Sequence, residues 1–492
     1  MGPTKPENSQ TFKNSPVRKP DSGSSPGLFR FPFGPLSALL LSGILISLQS
    51  CLNYPARLKF GKAEEAKPYD PADNLISSKL VMELSHSQME ALDVKDYYGE
   101  LRRYPVQVYR ITYRSRSFSP LSALVLLPVG MNKGTDKDTG TGTDTAEYPL
   151  LAYHHGTLLP FPHKRLGAYE APSFFGSAYR RTRDFFAVNN HGLPAAAAGY
   201  LTVLPDYMGY GAQAGKDHPF MIGPELGQEG MDAVRATYRW AEKKGIRVTD
   251  RLYLMGTSEG ASAAMWAQRL IENAPDFEGI QVEGAYYAGP YHISSLLRKI
   301  AFDDGKIVPL FNWAIYAAWN YYLRDAVQRE RNLSGHFRPE QYSAISGSQK
   351  SWQKSDIWLR KVPNLLSILL QKPMPKEKLF HTDFLEQIND PDSDFWVIAR
   401  LLDLHEGWEP ESPIWLYHND GDPLIPMSNS LDAHSGLQAA GSQVNLKIFQ
   451  RKDHAGGYLR YLLESLGEFS HSSGLDVPLY PEEPGEPVAV GD

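Results

Sequence analysis

The chain has 492 residues, of which 42% are hydrophobic and 22% charged, so it has the composition of a globular protein and the length for more than one domain. A formal net charge of -6 provides no basic footprint for nucleic acid, and no nucleic-acid partner is expected. The single cysteine, Cys51, rules out an intrachain disulfide.

Residues 1–50 have the layout of an export signal, with an uncharged apolar run at 36–48 after a basic leader. Leu48-Gln49-Ser50-Cys51 resembles a bacterial lipoprotein cleavage box, which implies that Cys51 becomes the lipidated first residue. Cleavage there would remove five positive and two negative charges and change the net charge from -6 to -9. An uncleaved anchor helix, for which the run is short, and a buried helix are the other interpretations. We therefore expect an exported lipoprotein of the cell envelope, held at the membrane through Cys51.

The next part of the chain predicts a tether and the first part of a folded core. Residues 51–73 are polar and interrupted by prolines, as in a tether. Residues 74–290 are predicted to form the first part of the folded core. Strand patterns at 106–113 and 121–128 predict a hairpin-like start to a sheet. Residues 134–147 are almost all Gly, Thr, Asp and Lys, which indicates a solvated loop without the spacing of a calcium loop.

Strands and helices then alternate, which predicts an α/β fold with a mostly parallel central sheet flanked by helices. A strand at 148–157 ends in His154-His155-Gly156-Thr157, and a later strand runs into the turn Pro205-Asp206-Tyr207-Met208-Gly209-Tyr210-Gly211. A metal-binding interpretation of the His154–His155 pair is disfavoured, because adjacent side chains on a strand point to opposite faces. No metal ligands are assigned.

The sequence Gly256-Thr257-Ser258-Glu259-Gly260 follows a short apolar run at 251–255 and precedes an Ala-rich stretch. This order predicts a strand, a sharp turn with Ser258 at its tip, and a helix; small residues at 256 and 260 allow strand and helix to approach. The amide of Glu259 would then face a developing oxyanion. The same pattern at 23–27 lacks a preceding strand and contains Pro26, so it is not assigned. A glycine-rich turn without chemistry is the other interpretation of Ser258.

After a strand at 280–290 the alternation stops, and residues 291–411 are predicted to form an inserted helical cap. The aromatic run at 311–322 could line an acyl pocket, although such runs are more typical of a cap's own core. Alternation resumes at 413, so residues 412–477 are predicted to form the second part of the core. Residues 478–492, rich in Pro and Glu, are predicted to be a disordered tail.

Two further loops carry an acid and a base, each after a predicted strand. Asp420 and Asp422 follow the strand at 413–420, and His454 follows the last strand at 444–449. A serine nucleophile needs a base to accept its proton and an acid to orient that base, and the chain order Ser, Asp, His is one in which such groups occur. The constellation predicts nucleophilic catalysis.

Three features are shared with a known family: the 205–211 turn, the sharp turn at residues 256–260 (the elbow), and a large insertion before Asp422. By these features the chain resembles the α/β-hydrolases of the secretory lipase and esterase type over about residues 100–470. The resemblance implies Ser258 as nucleophile and His454 as general base and then acid. It also implies Asp422 as the orienting carboxylate, with Asp420 as the alternative, and the amides of Thr157 and Glu259 as the oxyanion hole.

The functional hypothesis is an extracytoplasmic serine hydrolase that cleaves small-molecule or lipid carboxylic esters through an acyl-enzyme, without a metal or cofactor. A peptidase or acyltransferase on the same fold is an alternative, because fold and triad do not determine the substrate. A binding lipoprotein that has kept the fold but not catalysis is the alternative from another class of protein.

Overall fold

A computed structural model describes residues 69–93, 99–115, 120–131, 146–158, 171–177, 185–213, 218–219, 221–302, 386, 389–450 and 452–477. Several predicted segments lie outside these residues: the leader at 1–50, Cys51, all of the tether before residue 69, the centre of the cap and the tail. Among the described residues, no helix combines the length and apolar character that a bilayer crossing requires.

The described residues form one nine-stranded sheet with the spatial order β1-β2-β3-β5-β4-β6-β7-β8-β9. Strands β5, β4, β6, β7, β8 and β9 are neighbours in that order, and each neighbouring pair is parallel. The pairs β1–β2, β2–β3 and β3–β5 are antiparallel. The predicted hairpin is observed as β2 and β3. The strands are β1 Leu75–Leu84, β2 Val106–Arg114, β3 Pro120–Pro128, β4 Glu147–His154, β5 Leu201–Pro205, β6 Arg247–Thr257, β7 Gln281–Tyr287, β8 Ile414–Asn419 and β9 Val444–Phe449.

Helices cover both faces of the sheet. Residues of α3, α4 and α7 join one buried apolar cluster with one set of strand side chains, and residues of α2 and α8 join a second cluster with the alternating set. In β3, for example, Val125 belongs to the first cluster and Leu124 to the second. The helices are α1 His86–Leu92, α2 Leu193–Ala198, α3 Gly223–Lys244, α4 Glu259–Ile271, α5 Ile293–Phe302, α6 Asp394–Leu401, α7 Met427–Ala439 and α8 Tyr458–Ser473.

The strand order determines where a site can form. Strand β4 lies between β5 and β6: the chain passes from β4 to β5 on one side and then crosses over to β6 on the other side. In open parallel sheets such a switch point leaves a crevice beyond the carboxyl ends of the strands. Four predicted site segments follow strands that end at this edge, so they meet there. They are the turn at 154–157 after β4, the elbow after β6, the turn that carries Asp422 after β8, and the loop that carries His454 after β9.

Candidate active site

Ser258 occupies a strained turn between β6 and α4. Its backbone has φ 56° and ψ -128°, a conformation that costs a non-glycine residue about 1–3 kcal/mol. Two backbone hydrogen bonds hold it: the Ser258 amide donates to the Tyr287 carbonyl at 2.8 Å, and its carbonyl accepts from Ala261 at 2.9 Å. The neighbouring strand and the first turn of α4 therefore fix the direction of the hydroxyl.

The two elbow glycines lie where backbones approach each other closely. A Cβ on Gly256 would lie 2.2 Å from the carbonyl oxygen of Gly260, and one on Gly260 would lie 2.2 Å from the carbonyl oxygen of His154. Both distances are far below van der Waals contact, so neither position has room for a side chain. Strand β6, helix α4 and the end of β4 pack here through their main chains.

His454 links Ser258 to Asp422 through both of its ring nitrogens. Nε2 lies 2.9 Å from Ser258 Oγ, and Nδ1 lies 2.6 Å from Asp422 Oδ2. The other oxygen of Asp422 accepts the amides of Leu424 at 2.8 Å and Ile425 at 3.0 Å. The Asp422 side chain is inaccessible to solvent, and the His454 side chain is 15% exposed. Of the two carboxylates that the sequence left open, Asp422 is the one that contacts His454.

The charge on Asp422 determines the tautomer of His454. Burial by itself would raise the pKa of Asp422, but the hydrogen bond and charge of His454 and the two amide donors outweigh it and lower that pKa. An ionised carboxylate can only accept hydrogen bonds, so Nδ1 of His454 is the donor. Nε2 is then left to accept the proton of the Ser258 hydroxyl.

Polar side chains that the sequence analysis missed hold the His454 loop. Asn419 donates to the carbonyl of Asp453 and to the hydroxyl of Tyr287, which also accepts the amide of Gly457 at 3.1 Å. Asn419 and Tyr287 are the last residues of β8 and β7. Their polar groups at strand ends were the signal that could have identified them.

Tyr461 on α8 joins the same loop to the elbow strand. Its buried hydroxyl accepts the amide of Gly256 at 2.9 Å and donates to the carbonyl of Ala285 at 2.7 Å. These bonds tie the helix after His454 to β6 and β7 together. Because β6 leads directly into Ser258, Tyr461 helps to set the distance between Ser258 and His454.

Thr157 lies beside Glu259, the other residue predicted for the oxyanion hole. The Thr157 hydroxyl donates to Glu259 Oε2 at 2.8 Å. The turn that carries Thr157 also lies against Ser258, since a Cβ on Gly156 would be 3.4 Å from Ser258 Cβ. Thr157 and Glu259 are therefore neighbours beside Ser258.

The side chain of Glu259 has a role that the sequence analysis did not foresee. Its Oε1 accepts Nε2 of His218 at 2.9 Å and the amide of Met221 at 3.0 Å. Nδ1 of His218 lies 2.7 Å from the carbonyl of Met208, so both ring nitrogens face acceptors. Burial would raise the pKa of Glu259, but the charge and hydrogen bond of His218 lead the interactions that lower it. The Glu259 carboxylate is therefore held by His218 and Met221 directly behind the turn that carries Thr157.

The side chains of His154 and His155 both lie in the protein interior. Burial lowers the pKa of His154 to about 3 and that of His155 to about 4, so both rings are neutral. Nδ1 of His155 lies 2.7 Å from the carbonyl of Gly156. Within the described part of the chain, the one group of three ligating side chains close enough for a metal is His292, Asp403 and His405.

The sheet topology and the elbow define the class: the chain has the α/β-hydrolase fold, as predicted. Over residues 192–346 it matches the model of the secretory lipase family, which is 155 of its 492 residues. That match includes Ser258 and ends before Asp422 and His454.

The relatives and solved structures agree with this class. The chain is 25% identical to Lipase 2 of Candida albicans over 265 residues, which is 50% of this chain and 48% of that protein. It is 23% identical to a secreted triacylglycerol lipase of Malassezia furfur, over 51% of this chain and 59% of that one. The chain thus spans about half the length of the curated relatives it matches.

Among solved structures, a ligand-bound form of the rice cell wall degrading esterase LipA from Xanthomonas oryzae superposes with a TM-score of 0.57 at 19% identity, covering 84% of this chain and all of that one (100%). The closed state of Candida antarctica lipase A gives a TM-score of 0.51 at 14% identity, with 87% of each chain covered. The predicted resemblance to lipase- and esterase-type hydrolases is confirmed.

Proposed function

We propose that this protein is an extracytoplasmic serine hydrolase that cleaves carboxylic esters through an acyl-enzyme. The observation that carries the proposal is the continuous hydrogen-bonded line from Ser258 through His454 to Asp422, which begins at a strained elbow. The likeness to lipases and esterases supports an ester as the substrate, and the relatives named as lipases favour a lipid ester.

In the proposed reaction, Ser258 Oγ attacks the ester carbonyl carbon while Nε2 of His454 takes the hydroxyl proton. Ionised Asp422 stabilises the resulting imidazolium. The carbonyl oxygen becomes an oxyanion that accepts hydrogen bonds from the amides of Glu259 and Thr157, and each such donor is worth about 10²–10³ in rate. His454 returns the proton to the departing alcohol, and water then repeats the sequence to release the acid.

The test is Ser258→Ala, with Ser262→Ala as the matched control. Ser262 lies on helix α4, which begins directly after Ser258, and it is buried. Its hydroxyl has no hydrogen-bond partner in the described structure, so its removal should be nearly neutral. We expect Ser258→Ala to lower kcat by on the order of 10⁶ and to abolish labelling by a fluorophosphonate. Labelling that survives in folded Ser258→Ala would place the nucleophile elsewhere.

Esters of increasing acyl length, tested beside the corresponding amides, separate the hydrolase from its alternatives. Faster turnover of amides would favour a peptidase, and preferential transfer to added alcohols would favour an acyltransferase. Folded protein that takes no fluorophosphonate label would favour the binding lipoprotein. An ester rate that rises with chain length supports a lipase.

The proposal includes export and a lipid anchor at Cys51, which rest on the leader and its cleavage box. Cys51→Ser should move the protein from the detergent phase to the aqueous phase in a Triton X-114 partition and should prevent incorporation of labelled palmitate. Unchanged partition and no palmitate in the parent protein would exclude the anchor without affecting the hydrolase proposal.

A further inference from the structure

An exposed aromatic side chain lies at the sheet edge that carries Ser258. Among the described residues, three large hydrophobic side chains are exposed, namely Ile76, Leu80 and Phe186. Ile76 and Leu80 lie on β1, the terminal strand of the sheet, whereas Phe186 lies in the connection from β4 to β5 and is the most exposed, at 48%. A single exposed apolar side chain is ordinary on a protein surface, so its neighbours decide whether it has a role.

The neighbours of Phe186 connect it to the proposed site. Its ring lies 5.8 Å from the ring of Tyr458, measured between centroids. Tyr458 is the first residue of α8, and its ring lies 6.5 Å from that of His454. The Phe186 ring is therefore within about 12 Å of the His454 ring, and Tyr458 contacts both. These contacts form an aromatic path from solvent to His454.

Tyr458 is held in place by residues next to the elbow. Its ring meets the ring of Tyr287 edge-on, with centroids 5.0 Å apart and planes inclined by 74°. Its side chain also forms a hydrogen bond with Thr257, the residue directly before Ser258. The ring of Tyr458 is thus fixed relative to Ser258, so a ligand that contacts it meets a preformed surface.

The backbone beside Phe186 has an unusual conformation. Residues Val188–Gly192 form a π-helix, and single π-helical turns are frequent at functional sites. In this turn the buried ring of His191 lies 5.9 Å from the ring of Phe186 and stacks on that of Tyr153 at 4.4 Å. The Tyr153 hydroxyl in turn lies 2.9 Å from that of Thr257. One part of the Phe186 side chain therefore packs on fixed rings, and the rest is open to solvent.

The position of the departing alcohol follows from the proposed reaction. Nε2 of His454 returns its proton to the ester oxygen that leaves, so that oxygen comes within hydrogen-bond distance of Nε2. The alcohol atoms bonded to this oxygen then lie on the His454 side of Ser258. The carbonyl oxygen points instead toward the amides of Thr157 and Glu259. The aromatic path from His454 to Phe186 is therefore on the alcohol side of the bond that is cleaved.

We propose that Tyr458 and Phe186 bind the alcohol portion of the ester substrate and that this portion is apolar, as in an aromatic or long-chain alkyl ester. This inference rests on the proposed hydrolase function and adds a substrate class to it. Because the Tyr458 hydroxyl is engaged with Thr257, both residues offer ring surface to the ligand. Aromatic rings gain most by covering apolar groups, and a small polar alcohol would leave them in water.

The test uses the full chain and esters that differ in one half only. Benzyl butyrate and methyl butyrate differ in the alcohol, whereas methyl octanoate and methyl butyrate differ in the acyl chain. We expect Phe186→Ala to lower kcat/KM about 10-fold for benzyl butyrate and less than about 2-fold for methyl butyrate, which is the low end for one group in an apolar pocket because Phe186 is half exposed. The preference for octanoate over butyrate should not change.

The rate at which the acyl-enzyme is hydrolysed separates binding from positioning. Benzyl and methyl butyrate form the same butyryl-enzyme, and the alcohol has left before water attacks it. Its hydrolysis in a single turnover should therefore proceed at the parent rate in Phe186→Ala. A slower hydrolysis would show that Phe186 acts by positioning His454, and it would overturn the assignment.

Two further variants are matched controls. Leu80→Ala removes another exposed apolar side chain, on the terminal strand β1, and should leave all three esters at parent rates. Phe186→Tyr keeps the ring and should keep the parent ratio of benzyl to methyl butyrate. Labelling of Phe186→Ala by a fluorophosphonate to the parent stoichiometry shows that the elbow is intact.

The remaining outcomes are distinct. An equal loss for benzyl and methyl butyrate in Phe186→Ala, or no loss for either, would overturn the assignment. A loss that grows with acyl length would place the acyl chain on these rings and would also overturn it. A parent protein that takes no fluorophosphonate label and cleaves none of the esters would overturn the hydrolase proposal itself, and this inference with it.

Discussion

The buried carboxylate of Glu259 allows a sharp test of how the oxyanion turn is held, through the substitution Glu259→Gln. The amide side chain keeps the size of the original and removes only its charge. Its single oxygen can still face His218 and Met221, while its NH₂ group faces Thr157, whose hydroxyl then accepts. The packing therefore survives, and the measured effect reports on charge.

The structure sets the expected magnitude. Three donors converge on the Glu259 carboxylate at 2.8–3.0 Å, and one of them is His218 with both ring nitrogens on acceptors. Hydrogen bonds to a charged group contribute about 1.5–3 kcal/mol and neutral ones about 0.5–1.5 kcal/mol. Because the neutral side chain no longer carries the desolvation cost of a buried charge, only part of the difference is lost. We expect Glu259→Gln to lower the free energy of unfolding by about 2 kcal/mol.

The kinetic effect follows from the position of Thr157. Its hydroxyl loses a charged acceptor, so the turn that carries its amide is held less firmly at the nucleophile. Loss of a whole oxyanion donor costs about 10²–10³ in kcat, and a loosened donor should cost about 10-fold to 100-fold, with little change in KM. Urea denaturation and steady-state hydrolysis of a soluble p-nitrophenyl ester measure the two quantities.

The pH dependence distinguishes charge from packing. The folded pKa of Glu259 is lowered below its usual value of 4.5, so the carboxylate contributes stability above about pH 4.5, and this contribution is lost as pH falls through the folded pKa. The difference in the free energy of unfolding between the parent and Glu259→Gln should therefore have its full size at pH 7 and decrease as the pH falls below about 4.5. Glu242→Gln is the control, since Glu242 is 70% exposed and pairs with Arg239 at the surface. Equal stability and equal kcat for parent and Glu259→Gln at pH 7 would refute this account of the turn.

Three further predictions address the fold around the site. Tyr461→Phe leaves a buried backbone amide unpaired and should lower the free energy of unfolding by about 1–3 kcal/mol in urea denaturation; an unchanged midpoint would contradict this. Burial raises the pKa of Asp206 to about 7 from 3.8, so the folded chain keeps a proton that the unfolded chain releases, and the parent should lose stability from about pH 4 to pH 7. Asp206→Asn should remove that loss, and parallel stability curves for both proteins between pH 5 and pH 8 would refute it. Gly260→Ala places Cβ 2.2 Å from a carbonyl of β4 and should abolish soluble or active protein, whereas Gly245→Ala, with φ 69° and nothing within 4 Å, should cost only about 1–2 kcal/mol. A soluble, fully active Gly260→Ala protein, scored by yield and ester turnover, would show that the elbow can relax.

The parts of the fold that sequence predicted are those with a local cause. The elbow was predicted because a buried strand, two small residues and a helical stretch follow one another within a few positions. Strand β1 was missed because its residues between Leu75 and Leu84 are mostly exposed, so it shows no apolar alternation and forms by backbone pairing with β2. Strand β6 starts at Arg247, four residues before the predicted apolar run, for the same reason.

The three residues of the proposed triad could be listed from sequence because parallel strands end at a common edge, so side chains just after β6, β8 and β9 must lie near one another. What sequence could not provide is the support behind them. Glu259 and His218 are 41 positions apart, and Asn419 and Asp453 are 34 apart. No periodicity relates such pairs, because their contact depends on how two loops fold over the sheet edge.

The cap shows the same limit in a different way. Its predicted bounds, 291–411, rest on the loss of alternation, and they stay a prediction because residues 303–385 lie outside the described chain. Because β7 and β8 are parallel, the chain between them must come back to the opposite edge of the sheet before β8 begins. The sequence does not indicate at which residue it does so. The bond between Leu404 and Tyr291 shows that the chain first comes back to the edge it left. Only after that do residues 406–413 run to the start of β8, so His292, Asp403 and His405 meet because of the path of the chain rather than because of any local pattern.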